Sequence, residues 1–151
     1  MSAEIRTALV TGASRGIGRA TAIALAQAGF DVAITARTVV DGDPTAVTDD
    51  GKVLPGSLAS TAAAIEAFGQ RAVQIPLDLL DREALVPAVE SAISGLGHLD
   101  VVVNNAIYVT GGGPKYFLDT DPDDLVNQMW GDLTAQLLLL QPQVQECGRQ
   151  Y

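Results

Sequence analysis

Thr11-Gly12-Ala13-Ser14-Arg15-Gly16-Ile17-Gly18 comes after a short apolar run, Ala8-Leu9-Val10, and opens a segment with helical periodicity. A glycine-rich turn between a strand and a helix brings bare backbone N–H groups up to a phosphate. Gly12 allows the tight turn, Gly16 removes the Cβ that would block the approach, and Gly18 lets the helix pack close on the sheet. The glycines are spaced G-x-x-x-G-x-G, one residue wider than the commonest fingerprint of this kind. By itself the pattern is weak, and the motifs at the later strand ends give it its weight.

Strand and helix signals alternate from there. Residues 7–10 read as a buried strand, and residues 16–28 as a helix with Ile17, Ala20, Ala24 and Ala28 on one face and Gly29 as its stop. A second strand spans 31–36. Residues 38–56 break the rhythm with four aspartates, two prolines and three glycines, an insertion long for a strand-to-helix connection. A helix striped by Leu58, Ala62 and Ile65 runs over 57–68, then a strand over 72–77. Asp81 reads as the N-cap of a helix carrying Leu85, Val89, Ile93 and Leu96, with a kink expected at Pro87. Residues 99–103 form the fourth strand, and Val101-Val102-Val103 is the kind of run buried on both faces of a parallel sheet. A glycine loop (Gly111-Gly112-Gly113-Pro114) leads to a last helix capped by Asp121, with Pro122 at its first position and Asp123 and Asp124 complementing its dipole. Its stripe is Leu125, Met129, Leu133, Leu137 and Leu140. Alternating β-α units of this length predict an α/β fold, an open, doubly wound parallel sheet of the Rossmann type, ending after the fourth strand and its following helix. Residues 1–151 are read as one incomplete domain with an atypical tail at 141–151, which lacks the apolar run a fifth strand needs.

Composition narrows the functional classes. The chain has 151 residues and a net charge of −9, from 18 acidic and 9 basic side chains, so nucleic-acid and anionic-membrane roles are disfavoured. The aspartates at 41, 43, 49 and 50 fit no calcium loop and read as a solvated segment, so no metal is expected. Cys147 is the only cysteine and reads as an inert thiol. His98 reads as a surface or cap residue, and Met129 and Trp130 as core or interface packing. No apolar leader precedes the first strand, and a cytoplasmic location is expected.

The residues that carry chemistry cluster at strand ends. Arg37 stands at the carboxyl end of the second strand, about twenty residues past the glycines, where an acidic residue would bind the ribose hydroxyls of NAD. An arginine there offers a cation and a planar fork for the 2′-phosphate of NADP, and Arg15 can reach the same group. The cofactor expected is NADP, with NAD as the alternative. Asp78 closes the third strand and Asn104-Asn105-Ala106 the fourth.

With these residues the chain resembles the short-chain dehydrogenases/reductases. Thr11-Gly12-x-x-x-Gly16-x-Gly18, Asp78-Leu79 and Leu99-Asp100-Val101-Val102-Val103-Asn104-Asn105-Ala106 match that family's motifs in order and spacing, over roughly residues 5–140. The resemblance implies that Asp78 bonds the adenine amino group and Leu79 flanks the ring. It implies that Asn104 and Ala106 line the adenosine ribose, and that Ser14 and Ile17 contact the pyrophosphate. Two departures stand out. Ile107 replaces the glycine that normally comes after Asn-Asn-Ala, which implies crowding at the nicotinamide ribose. Asp132 stands where the last helix normally carries an asparagine, and it is the first residue to suspect of altered proton chemistry.

The family's catalysts are a serine on a fifth strand and a Tyr-x-x-x-Lys pair on the next helix. Here the serines end at Ser94, the lysines are Lys52 and Lys115, and four residues beyond Tyr108 and Tyr116 stand Gly112 and Thr120. The resemblance therefore implies the cofactor-binding half of an NADP-preferring oxidoreductase that moves hydride between nicotinamide and a carbonyl or alcohol. The 151-residue chain, read as a fragment, is expected to be inactive alone. The rival reading is a non-catalytic dinucleotide-binding or interaction module. The intact phosphate turn favours the first reading, and the mass of the native gene product separates the two. The sheet order expected is 3-2-1-4, which leaves the fourth strand at an edge. In the family the last helix commonly packs on a second subunit, so a homo-oligomer is expected.

Overall fold

The computed structural model describes residues 5–44, 46–48, 50–109 and 116–148. Four short apolar runs become strands β1 (Arg6–Thr11), β2 (Phe30–Ala36), β3 (Ala72–Pro76) and β4 (Val101–Val103). They pair in parallel in the order β3-β2-β1-β4, with Leu9 of β1 opposite Ala33 on one side and Val102 on the other. The helices are α1 (Gly16–Gln27), α2 (Leu58–Glu66), α3 (Leu85–Leu96), α4 (Pro122–Met129) and α5 (Ala135–Gly148).

Strand side chains alternate between two cores. Ala8, Val10, Val32 and Ile34 pack with Ala22 and Ala26 of α1 and Leu58, Ala62 and Ile65 of α2. Leu9, Ala33 and Ile75 face the other way, onto Leu85, Val89 and Ala92 of α3 and Ala135 and Leu139 of α5. The sheet is thus covered on both faces, as the doubly wound reading requires. At the far end from the glycine turn, Arg71 Nε binds the buried Asp31 carboxylate at 2.6 Å, and its remaining nitrogens reach the Gly95 and Leu96 carbonyls at the end of α3. A cation there also complements the helix dipole.

Several expectations need correction. The face of α1 that meets the sheet is Gly18, Ala22 and Ala26, while Ala20, Ala24 and Ala28 are exposed and Ile17 is 78% exposed. This helix is alanine-rich all round, so periodicity alone does not select its buried side. Asp81 does not cap α3: its carboxylate accepts the Ala84 N–H at 3.2 Å, closing a turn that delays the helix to Leu85. Pro87 then falls in the first turn, where its missing N–H has no helical partner to lose, so it breaks no hydrogen bond. β4 is half-buried rather than buried, because it is an edge strand: among the described residues it pairs only with β1.

The last helix is in three parts. Asp121 caps α4 by accepting the Asp123 N–H at 2.9 Å, with Pro122 at its first position, as the sequence implies. A π-helical turn, Trp130–Thr134, separates α4 from α5. Gly131, Ala135 and Leu139 face the core, whereas Leu125, Met129, Leu133 and Leu137 of the expected stripe are exposed. Trp130 packs on the core; Met129 does not. Residues 141–148 continue the helix, consistent with the lack of strand signal there. The glycine loop at 111–114 lies outside the described residues. No helix among the described residues is long and apolar enough to cross a membrane.

Candidate functional site

The glycine turn is held in place by packing so close that side chains are excluded. A Cβ on Gly18 would lie 2.3 Å from the Gly12 carbonyl oxygen and 2.4 Å from Asn105 Nδ2. Gly16 has φ +57° and nothing within 4 Å of where its Cβ would be, so the space in front of the helix start is open. The first helical hydrogen bond of α1 runs from the Arg19 N–H to the Arg15 carbonyl, and Arg15 at the N-cap makes no side-chain cap. The N–H groups of Gly16, Ile17 and Gly18 therefore have no helical acceptor, which is the condition for anion binding. The Ala13 N–H is taken by the Thr35 carbonyl of β2 at 3.0 Å.

A clip from the end of β4 fixes the turn from behind. Asn105 Nδ2 donates to the Thr11 carbonyl at 2.9 Å and the Gly12 carbonyl at 3.3 Å. The buried Thr11 hydroxyl accepts the N–H groups of both Asn105 and Ala106 at 3.0 Å. From the other side, the buried Thr61 hydroxyl of α2 donates to the Ala13 carbonyl at 2.8 Å. Sequence reading assigns no role to Asn105, Thr11 or Thr61; the only signal is that Thr11 and Asn105 lie inside the matched motifs.

A cavity of about 270 Å³ opens at the carboxyl ends of the strands, lined by Gly12, Ser14, Arg15, Arg37, Asp78 and Leu79 and also by Ala106, Ile107 and Tyr108. The structure thus brings together most of the sequence-predicted set. Arg37 is exposed and, among the described residues, has no ion-pair or hydrogen-bond partner. The half-buried Asp78 accepts the Leu80 N–H through Oδ1 at 3.0 Å. Leu79 is buried, and its carbonyl accepts the Trp130 indole N–H at 2.9 Å, with the Arg82 guanidinium 4.0 Å over that ring. Asn104 is exposed, points its amide to the Gln136 carbonyl at 3.2 Å and does not line the cavity. Gly16, Ile17 and Gly18 form the helix start beside the cavity rather than its lining.

Asp132 has a structural partner. Its Oδ1 accepts the Tyr108 N–H at 2.7 Å, tying the segment after β4 to the π-helical turn, where Gly131 admits the Tyr108 Cβ (an added Cβ would lie 2.7 Å from it). The carboxylate thus uses one oxygen as an amide oxygen would. Ile107 lines the cavity while remaining 67% exposed. His98 lies at the opposite end of the sheet, with Nε2 3.2 Å from Asp100 Oδ2, which in turn accepts the Thr7 N–H. Of the acidic insertion, Asp50 is exposed and ion-paired to Lys52 at 2.7 Å; Lys52, then Thr48, hold its carboxyl below the ordinary value. Asp49 lies outside the described residues, and no metal-ligating cluster is present among those described.

The comparisons with known proteins agree with this geometry. The family profile described as short chain dehydrogenase matches residues 6–141. The chain belongs to the short-chain dehydrogenase family. This short-chain dehydrogenase is 40% identical over 130 residues to (−)-trans-carveol dehydrogenase of Rhodococcus erythropolis, covering 83% of this chain and 43% of that protein. It is 37% identical over 148 residues to L-rhamnose 1-dehydrogenase (NAD(P)(+)) of Sphingomonas sp. (strain SKA58), covering 97% of this chain and 51% of that one. Among solved structures, a short chain dehydrogenase from Mycobacterium paratuberculosis bound to NAD superposes with a TM-score of 0.76 at 30% identity, covering 97% of this chain and 53% of that chain. The chain spans 17–51% of the length of the curated relatives it matches.

Proposed function

We propose that this chain is the cofactor-binding half of an NADP-preferring short-chain oxidoreductase that transfers hydride between nicotinamide and a carbonyl or alcohol. The observation that carries the reading is the cavity at the strand ends, whose lining includes both Arg15 and Arg37, the latter unpaired among the described residues. The residues present fit a dinucleotide. The free N–H groups at the start of α1 and the Ser14 side chain hold the pyrophosphate, and Asp78 accepts from the adenine amino group beside Leu79. Ala106 serves the adenosine ribose, whereas Asn104 lies off the cavity with its amide donating to the Gln136 carbonyl. When bound, the nicotinamide supplies or takes up the hydride; the chain's part is to bind, orient and select.

Charged hydrogen bonds are worth roughly 1.5–3 kcal/mol each, so NADPH should bind about tenfold or more tightly than NADH. Arg37→Asp should reverse that order. Titration with both cofactors is the test, and equal affinities in the unsubstituted chain would sink the assignment.

The same reading includes self-association. β4 lies at the sheet edge, and Leu125, Met129, Leu133 and Leu137 are exposed on α4, the π-helical turn and α5. Unpaired strand edges and contiguous apolar patches favour association. Sedimentation at micromolar concentration should show oligomers or aggregates. A single monomeric species with a sharp melt would contradict this.

A further inference from the structure

The insertion at residues 38–56 is longer than a strand-to-helix connection needs, and as sequence it reads as solvated loop. The structure folds part of it into a small hairpin. Val47 bridges Val53 in antiparallel fashion, the Leu54 N–H donates to the Ala46 carbonyl at 2.7 Å, and the Thr48 N–H donates to the Lys52 carbonyl at 2.8 Å. Val47 and Leu54 line a second cavity, of about 560 Å³, which shares Arg15, Arg37, Thr38 and Asp78 with the first. A cavity lined by apolar side chains together with two arginines suits a flat base carrying a phosphorylated ribose.

Both ends of the insertion also hold Arg15. Its Nη2 donates to the Thr38 hydroxyl at 2.9 Å and to the Gly56 carbonyl at 3.1 Å. Thr38 is 6% exposed, so this acceptor is not competing with bulk water. Gly56 is itself locked to the phosphate turn: φ is +94°, and a Cβ would lie 2.4 Å from the Ser14 carbonyl oxygen. Arg15 Nε is buried with no partner among the described residues. An arginine held this way loses less rotamer freedom on binding than a free one.

We propose that residues 38–56 form a clamp on the adenosine 2′-phosphate end of the dinucleotide, with Thr38 and Gly56 fixing Arg15 and the Val47–Val53 hairpin walling the second cavity. The proposal rests on the NADP reading above. It makes Thr38 a positioning residue for 2′-phosphate selection and Val47 a contact for the adenosine itself.

Adenosine 2′,5′-bisphosphate and ADP separate these roles, because only the first carries the 2′-phosphate. In titrations of the 151-residue chain, Thr38→Val should weaken the bisphosphate about five- to tenfold and leave ADP within about twofold. Val47→Asp, on an exposed hairpin whose loss does not threaten the core, should weaken both probes by a similar factor of about five or more. A purely structural role for Thr38 would lower the melting temperature and weaken both probes alike. Wild-type affinities for both probes in both variants, with unchanged melts, would overturn the clamp while leaving the NADP reading intact. Equal binding of the two probes by the unsubstituted chain would overturn the NADP reading itself, whatever Val47→Asp does.

Discussion

A chain ending at Tyr151 is expected to reduce no carbonyl compound with NADPH, whatever the substrate panel. The reaction needs a proton delivered to the substrate oxygen as hydride arrives, and a positioned acid or base commonly contributes roughly 10²–10⁴-fold. Among the described residues, the groups that would do this are not arranged for it. Lys52 is ion-paired to Asp50 on the insertion, and Lys115 lies outside the described residues. Tyr108 lines the cavity but has no lysine four residues on, and its backbone is tied to Asp132. Asp132, the first suspect for an unorthodox catalyst, has one carboxylate oxygen engaged with that N–H. The measurement is loss of NADPH absorbance with material confirmed by mass to end at Tyr151. Robust turnover, abolished by Asp132→Asn, would refute the expectation and identify the catalyst.

How far the sequence is legible depends on the range of the forces involved. The strand order and the place of the glycine turn come from local signals: β-branched runs, glycines at fixed spacing, and motifs at strand ends. The helix faces do not. α1 is apolar on nearly every side, and its orientation is set by Gly18 meeting the Gly12 carbonyl, a contact between residues with no shared period. The stripe Leu125-Met129-Leu133-Leu137 is correctly spaced for one helix face, yet Gly131, Ala135 and Leu139 take the core side. The π-helical turn shifts the phase at that point, and the small Gly131 permits the close approach of Tyr108. In the site, charged residues at strand ends are readable because topology places them. Thr38, Thr61 and Asn105 are not, because each works through a hydrogen bond to a group 23 or more residues away.

Gly18→Ala should damage fold and binding together, and the magnitudes decide the sign. In a helix, alanine gains up to about 1 kcal/mol over glycine. Against this, the new Cβ would stand 2.3 Å from the Gly12 carbonyl oxygen and 2.4 Å from Asn105 Nδ2. The first is backbone, and the second is held by hydrogen bonds to the Thr11 and Gly12 carbonyls, so neither can swing aside. Overpacking costs about 1–3 kcal/mol, and with rigid neighbours the upper end applies, for a net loss of about 2 kcal/mol. For a domain of this size that lowers the melting temperature by about 4–8 °C. Relieving the clash pushes the phosphate turn off its clip, and losing one charged hydrogen bond to the pyrophosphate, worth about 1.5–3 kcal/mol, costs roughly ten- to a hundredfold in NADPH affinity. Gly16→Ala is the comparison: its Cβ would meet nothing within 4 Å, so the fold bears the strain of φ +57°, about 1–2 kcal/mol, without any clash, while the methyl intrudes on the open face of the helix start. Both variants should therefore lower melt and affinity, Gly18→Ala through a clash that displaces the turn and Gly16→Ala through backbone strain with a smaller loss of melting temperature. A Gly18→Ala protein that melts and binds NADPH like the parent would mean that α1 can slide away from the sheet without disturbing the turn, and that the close contact at Gly12 does not hold the site.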